Sequence, residues 1–166
     1  MDFSLPKKMW WSYVEEDIRE LLLTAELLAT KIEGWEEKLH DYAFVVFPAA
    51  KAYEGFLKKL FLDMGFISAE EYFGKRFRIG KALNPSLERE LRGKESVYDR
   101  VVEFCQGPKL ANKLWETWKN CRNLTFHWFP KERNAITFAE AKEKVEMIIA
   151  AMDAAFKECK INRSNA

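Results

Sequence analysis

Histidine is the side chain whose unperturbed pKa suits proton transfer near neutrality, and this 166-residue chain has two of them. His40 lies in KLHDY, ahead of a long apolar run, where a capping or partly exposed role accounts for it. His127 lies in CRNLTFHWFP, five residues after Arg122 and directly before Trp128, Phe129 and Pro130. Arg122 continues the helical face of Ala111, Leu114, Trp115 and Trp118, so an always-protonated guanidinium ends a bundle-facing stripe and requires an anion. An imidazole working with a guanidinium suits phosphoryl chemistry: the first gives or takes a proton, the second presents a planar fork of donors to phosphate oxygens. In a regular helix five residues turn through about 140°, so the two groups converge only if the helix unwinds or two chains meet. On residue types alone a structural pair is the favoured reading, with Arg122 against Glu116 or Glu132 and His127 packed among Phe126, Trp128 and Phe129.

The elements that must position these groups read as helices. Trp10, Val14, Ile18, Leu21, Leu22, Ala25, Leu28 and Ile32 have three-and-four spacing, which predicts an amphipathic helix from Trp10 to about Thr30, stopped by Gly34. His40 to Met64 is apolar around most of its circumference and should be central, with Pro48 either kinking it or opening it. A strand over Tyr42 to Phe47 is the weaker alternative, since no partner strand is evident. Gly65 ends this helix, and Ser68 to Glu71 has capping-box spacing. Residues 74–93 form an irregular middle, followed by a helix from Ser96 to Cys105 and another opened by Pro108. The last helix is signalled by the Thr137 to Glu140 capping box and the stripe Phe138, Ala141, Val145, Ile148, Ile149, Met152 and Phe156. Little of the chain alternates with period two, so the expected fold is one all-α domain, residues 1–166, with four main helices and short additional ones.

Composition narrows the function classes. Lys and Arg total 27 against 26 Asp and Glu, so contact with a nucleic acid must come from a local patch rather than from general polycationic character. FGKRFRIGKAL supplies one: Lys75, Arg76, Arg78 and Lys81 interleave with Phe73 and Phe77, a pattern fit for phosphate contacts and base stacking, or for a solvated loop whose rings pack inward. Cys105, Cys121 and Cys159 are odd in number and lack CxxC spacing, which indicates neither a disulfide framework nor a zinc site and points to a reducing compartment. No HExxH or ligand-spaced His/Asp/Glu cluster occurs, so no metal or cofactor is expected. No segment approaches the ~20 apolar residues of a membrane span, and a cytoplasmic protein without a membrane partner is expected.

Arg122-Asn123-Leu-Thr-Phe-His127 resembles the signature of the HEPN ribonucleases, small four-helix proteins marked by Arg, a polar residue, a few variable residues and His. A closer resemblance, over about residues 39–156, is to the HEPN domain at the carboxyl end of the RNase LS toxin, carried by AAKAYEGFLKKL and RNLTFH. The resemblance implies a HEPN-like bundle, a metal-independent endoribonuclease of toxin–antitoxin type, a homodimer and a protein antitoxin. It also implies that a helix carboxylate joins Arg122 and His127, which maps to Glu54. Read from the residues alone, Glu54 sits among Ala50, Leu57 and Phe61 and equally fits a surface pair with Lys58 at i, i+4. Another branch of the family carries a Tyr two residues after the His. Here that residue is Phe129, which has no hydroxyl to modify.

In such a site His127 acts as general base or acid, Arg122 holds the non-bridging oxygens, and Asn123 orients the phosphate. One imidazole cannot serve as base and acid in a single step. A two-fold dimer supplies the second, and Trp115, Trp118, Trp128 and Phe129 around the motif suit an interface. The rival reading is a non-catalytic HEPN-like interaction or RNA-binding module that keeps the bundle without the activity.

Overall fold

The computed structural model describes residues 3–131 and 134–161. Among these residues every regular element is helical, and the four main helices are α1 (Glu16–Ile32), α2 (Ala43–Asp63), α7 (Lys109–Trp118) and α9 (Phe138–Phe156). Short helices α3 (Ala69–Phe73), α4 (Ile79–Ala82), α5 (Arg89–Glu95) and α6 (Val97–Phe104) fill the middle, so α4 and most of α5 replace the irregular run expected over 74–93, and α8 (Leu124–Phe126) follows α7 across a π-turn. The fold class is therefore all-α, as the periodicity predicts.

α2 is the axis of the bundle. Val45, Val46, Ala49, Ala52, Tyr53, Phe56, Leu57, Leu60 and Phe61 are all buried, because α1 and α9 pack on different sides of it. Ile18, early in α1, meets Gly55 so closely that an added Cβ would stand 3.0 Å from its Cδ1. The helix runs through Pro48, whose ring is buried, so the missing backbone donor costs one hydrogen bond without ending the element. The strand alternative for Tyr42 to Phe47 is thereby excluded. α2 begins at Ala43 rather than His40, since Asp41 Oδ1 accepts from the N–H groups of both Ala43 (3.0 Å) and Ile136 (3.1 Å). One carboxylate thus starts α2 and anchors the approach to α9. Gly65 stops the helix with φ +70°, a left-handed conformation that glycine adopts without a Cβ penalty.

α1 is shorter than its apolar spacing predicts, starting at Glu16 instead of Trp10. The preceding turns are held by α9: Trp10 Nε1 donates to Asp153 Oδ1 at 2.6 Å, and Lys8 pairs with Asp153 Oδ2 at 2.7 Å. Trp10 and Val14 remain buried, so the spacing reports the core correctly and the helix start incorrectly. Both predicted capping boxes form, at Ser68 with Glu71 and at Thr137 with Glu140. The backbone and side-chain hydrogen bonds from Thr137 hold the Glu140 carboxyl below its usual range.

Candidate active site

Arg122 sits on a backbone irregularity. After Trp118 the chain widens into a π-turn over Lys119–Asn123 before α8 resumes a normal pitch. Such a turn leaves carbonyls poorly served, and the Asn120 oxygen is capped by two side chains. Thr125 Oγ1 donates to it at 2.7 Å and Lys144 Nζ, from α9, at 2.8 Å. Buried Cys121 lies within the turn, and burial pushes its thiol up to about 11, so it is a neutral packing group. These contacts place the Arg122 guanidinium over the Trp118 ring, 5.4 Å from its centroid. The half-buried guanidinium makes no ion pair with a described residue. Glu116, one partner weighed for it, lies 3.9 Å from Lys119 instead, and Glu132 falls outside the described residues.

A cavity of about 260 Å³ opens between α2 and this turn, lined by Phe47, Ala50, Lys51, Glu54, Arg122 and Phe126. Phe47 and Phe126 meet edge to face at 5.7 Å and form one wall. Glu54 is half-buried and bonds to neither Lys58 nor Arg122. A carboxylate and a guanidinium therefore share one small space, each lacking an ionic partner among the described residues. That arrangement is unfavourable in isolation, because partly desolvated charges gain little without a counterion. It is suited to a guest that brings an anionic oxygen for Arg122 and a proton donor for Glu54.

The predicted residues are only partly brought together. Glu54 and Arg122 share the cavity, whereas His127 is exposed and does not line it. His127 follows α8 in extended conformation, its carbonyl accepts from the Asn134 side chain, and its ring lies 6.2 Å from that of Phe129. The packed aromatic cage considered for it is absent: Trp128 is 78% exposed, and Phe126 belongs to the cavity wall. Asn123 is half-buried at the end of the π-turn. Trp118, expected near an interface, is 6% exposed and belongs to the core, so the apolar surface beside the motif consists of Phe47, Leu124, Trp128 and Phe129.

The basic segment is a separate region. Arg76, Arg78 and Lys81 line a second cavity of about 210 Å³ together with Glu71 and Glu95, and exposed Lys75 lies outside it. Lys81 pairs with Glu95 at 2.5 Å, and Arg78 donates to the carbonyl of Lys75. Phe77 packs on the core while Phe73 is 80% exposed, so one ring of the two is available for stacking. The segment still touches the first site indirectly. A Cβ at Gly80 would stand 2.6 Å from Trp118 Nε1, the same indole that carries Arg122.

The reading of the sequence missed Lys51 and Trp118 as site residues. Lys51 stands one turn before Glu54 on the same face of α2, a spacing that is visible once Glu54 is singled out. Trp118 does not line the cavity but carries Arg122 on its ring, a contact for which the i, i+4 spacing of the two residues is the signal. Among the described residues no group of three His, Cys, Asp or Glu side chains converges as a metal-ligand set, and no helix is long and apolar enough to cross a membrane. No protein-family model matches the chain, nor does any curated protein or solved structure.

Proposed function

We propose that the protein is a metal-independent endoribonuclease of the HEPN type, working as a homodimer and restrained by a protein antitoxin. The observation that carries this reading is the shared cavity of Glu54 and Arg122, two opposite charges held within apolar walls and left without ionic partners. RNA supplies both things the cavity lacks, a phosphate anion and a hydroxyl proton.

In the proposed reaction the 2′-oxygen attacks phosphorus, forming a P–O2′ bond as the P–O5′ bond breaks. Glu54, the carboxylate in the cavity lining, receives the 2′-proton, and Arg122 with Lys51 neutralises the non-bridging oxygens of the crowded intermediate. His127 protonates the departing 5′-oxygen. The products are a 2′,3′-cyclic phosphate and a 5′-hydroxyl end, and no redox or external reactant is needed.

His127 lies outside the cavity of its own chain, which favours a composite site. A two-fold contact through Phe47, Leu124, Trp128 and Phe129 would cover exposed apolar surface and deliver the imidazole of a second copy. The same observation supports the second reading, a helical RNA-binding module, if the chains do not pair.

The test is cleavage of single-stranded RNA in EDTA, with the new ends identified chemically. Cyclic phosphate ends are expected, and a strict requirement for a divalent metal overturns the mechanism. Mixing Arg122→Ala and His127→Ala chains is expected to restore part of the activity. An active monomer at assay concentration removes the composite site and leaves the nuclease standing.

A further inference from the structure

A third cavity, of about 520 Å³, lies between the turn from α6 to α7 and the end of α9. Lys109 and Lys113 face it from successive turns of α7, and Lys157 faces it from the residue after α9. All three are exposed, and none pairs with a described residue. Leu110, which is buried, and half-buried Ala154 and Cys105 form the floor, and exposed Glu158 is the one carboxylate in the lining, so the lysines leave an excess of two positive charges. The 75–81 segment differs in that Lys81 is held in an ion pair by Glu95, whereas no ion pair joins the three groove lysines to a described residue.

We infer that this groove is a second RNA-binding site, in which Lys109, Lys113 and Lys157 hold backbone phosphates of a strand whose scissile bond lies at Arg122. The inference rests on the ribonuclease reading for the strand's destination and on the groove itself for the contact. Three ammonium groups without an accompanying Arg act as point charges, which suit phosphates from any direction, whereas planar recognition of carboxylates favours the guanidinium fork. Thirteen residues of nearly continuous helix separate Lys109 from Arg122, about 20 Å along the axis, so only a strand of several nucleotides engages both. Lys109 and Lys113 also point to the side of α7 away from Trp118 and Arg122, so the strand must pass around the helix. The groove would therefore favour longer substrates while leaving the chemistry at the cleavage site alone.

The measurement uses a fluorescent 2′-O-methyl oligouridine of about twenty nucleotides, which cannot be cleaved because its nucleophile is blocked. The variant carries Lys109→Gln, Lys113→Gln and Lys157→Gln, and its melting temperature checks that these exposed changes leave the fold intact. Affinity is expected to fall at least tenfold at low salt. The slope of log K against log salt should flatten by about 2, from roughly 0.7 per phosphate contact on a single strand. Unchanged affinity and slope, or no binding of the oligomer by the unaltered protein, overturns the inference. Poly-glutamate serves as a second probe: if the triple change abolishes its binding and spares the oligouridine, the groove is a protein-docking surface instead. Failure of the nuclease reading registers separately, as intact RNA after incubation with the unaltered protein, while the binding comparison still decides the groove.

Discussion

The Glu54–Arg122 cavity and the 75–81 segment both place cations beside aromatic rings, yet they treat charge in opposite ways. In the cavity, half-buried groups stand against Phe47 and Phe126 without an ionic partner among the described residues. In the segment, exposed cations are interleaved with Glu71 and Glu95, and one of them is paired. Solvent and local carboxylates screen the second region, so its contribution to binding is spread over several weak contacts. Partial burial against apolar walls screens the first region less. A phosphate there meets charge whose strength has not been spent on a neighbour, and the consequence should be visible in rate rather than in affinity.

The largest expected effect is at the proposed proton donor. His127→Ala should lower the cleavage rate by about 10² to 10⁴ while far-UV circular dichroism and melting temperature stay the same, since the exposed ring contributes little packing. Full activity would move the chemistry elsewhere. Arg122→Ala should cost about 10² to 10³, the range for losing a donor to a developing oxyanion. Glu54→Gln separates the cavity from a surface ion pair most directly. With no partner to lose, the variant should melt unchanged, and its rate should fall by about 10² if the carboxylate takes the 2′-proton. Equal rates would return Glu54 to a structural role.

Gly80→Ala probes whether the two regions communicate. The new methyl would meet Trp118 at 2.6 Å and force the indole to shift, which should destabilise the fold by about 1–3 kcal/mol and reduce cleavage several-fold through Arg122. A stable variant with reduced RNA affinity alone would place the effect in the segment instead. The smallest change should follow neutralisation of Lys75, Arg76, Arg78 and Lys81 to Gln. Binding should weaken with a flatter salt dependence, and the cleavage sites on a mapped RNA should stay where they are. An altered cleavage pattern would show that the segment helps choose the bond.

Local chemistry made much of this molecule readable from its residues. The Thr137 and Ser68 capping boxes, the Gly65 stop and the apolar circumference of α2 act over a few residues, so they survive translation into structure. The start of α1 was misread because Trp10 and Val14 are buried by tertiary contacts without being helical, and apolar periodicity cannot tell these cases apart. Arg122 was legible as a cation out of place, since its phase relative to Trp118 follows from helical geometry.

What the residues could not announce is who faces whom. The cavity lies where α2 packs beside a π-turn, whose Asn120 carbonyl accepts from Lys144 reaching across from α9. The lysine groove likewise joins α7 to the end of α9, whereas the segment that looks most basic in the sequence is partly neutralised by Glu95 from α5. Sequence by itself determined the main helices apart from the start of α1, the capping boxes at Ser68 and Thr137, the central place of α2 and the residue types available for proton transfer. Tertiary structure alone decided which charges are compensated, because compensation depends on approach within a few ångströms between groups that the chain order leaves far apart.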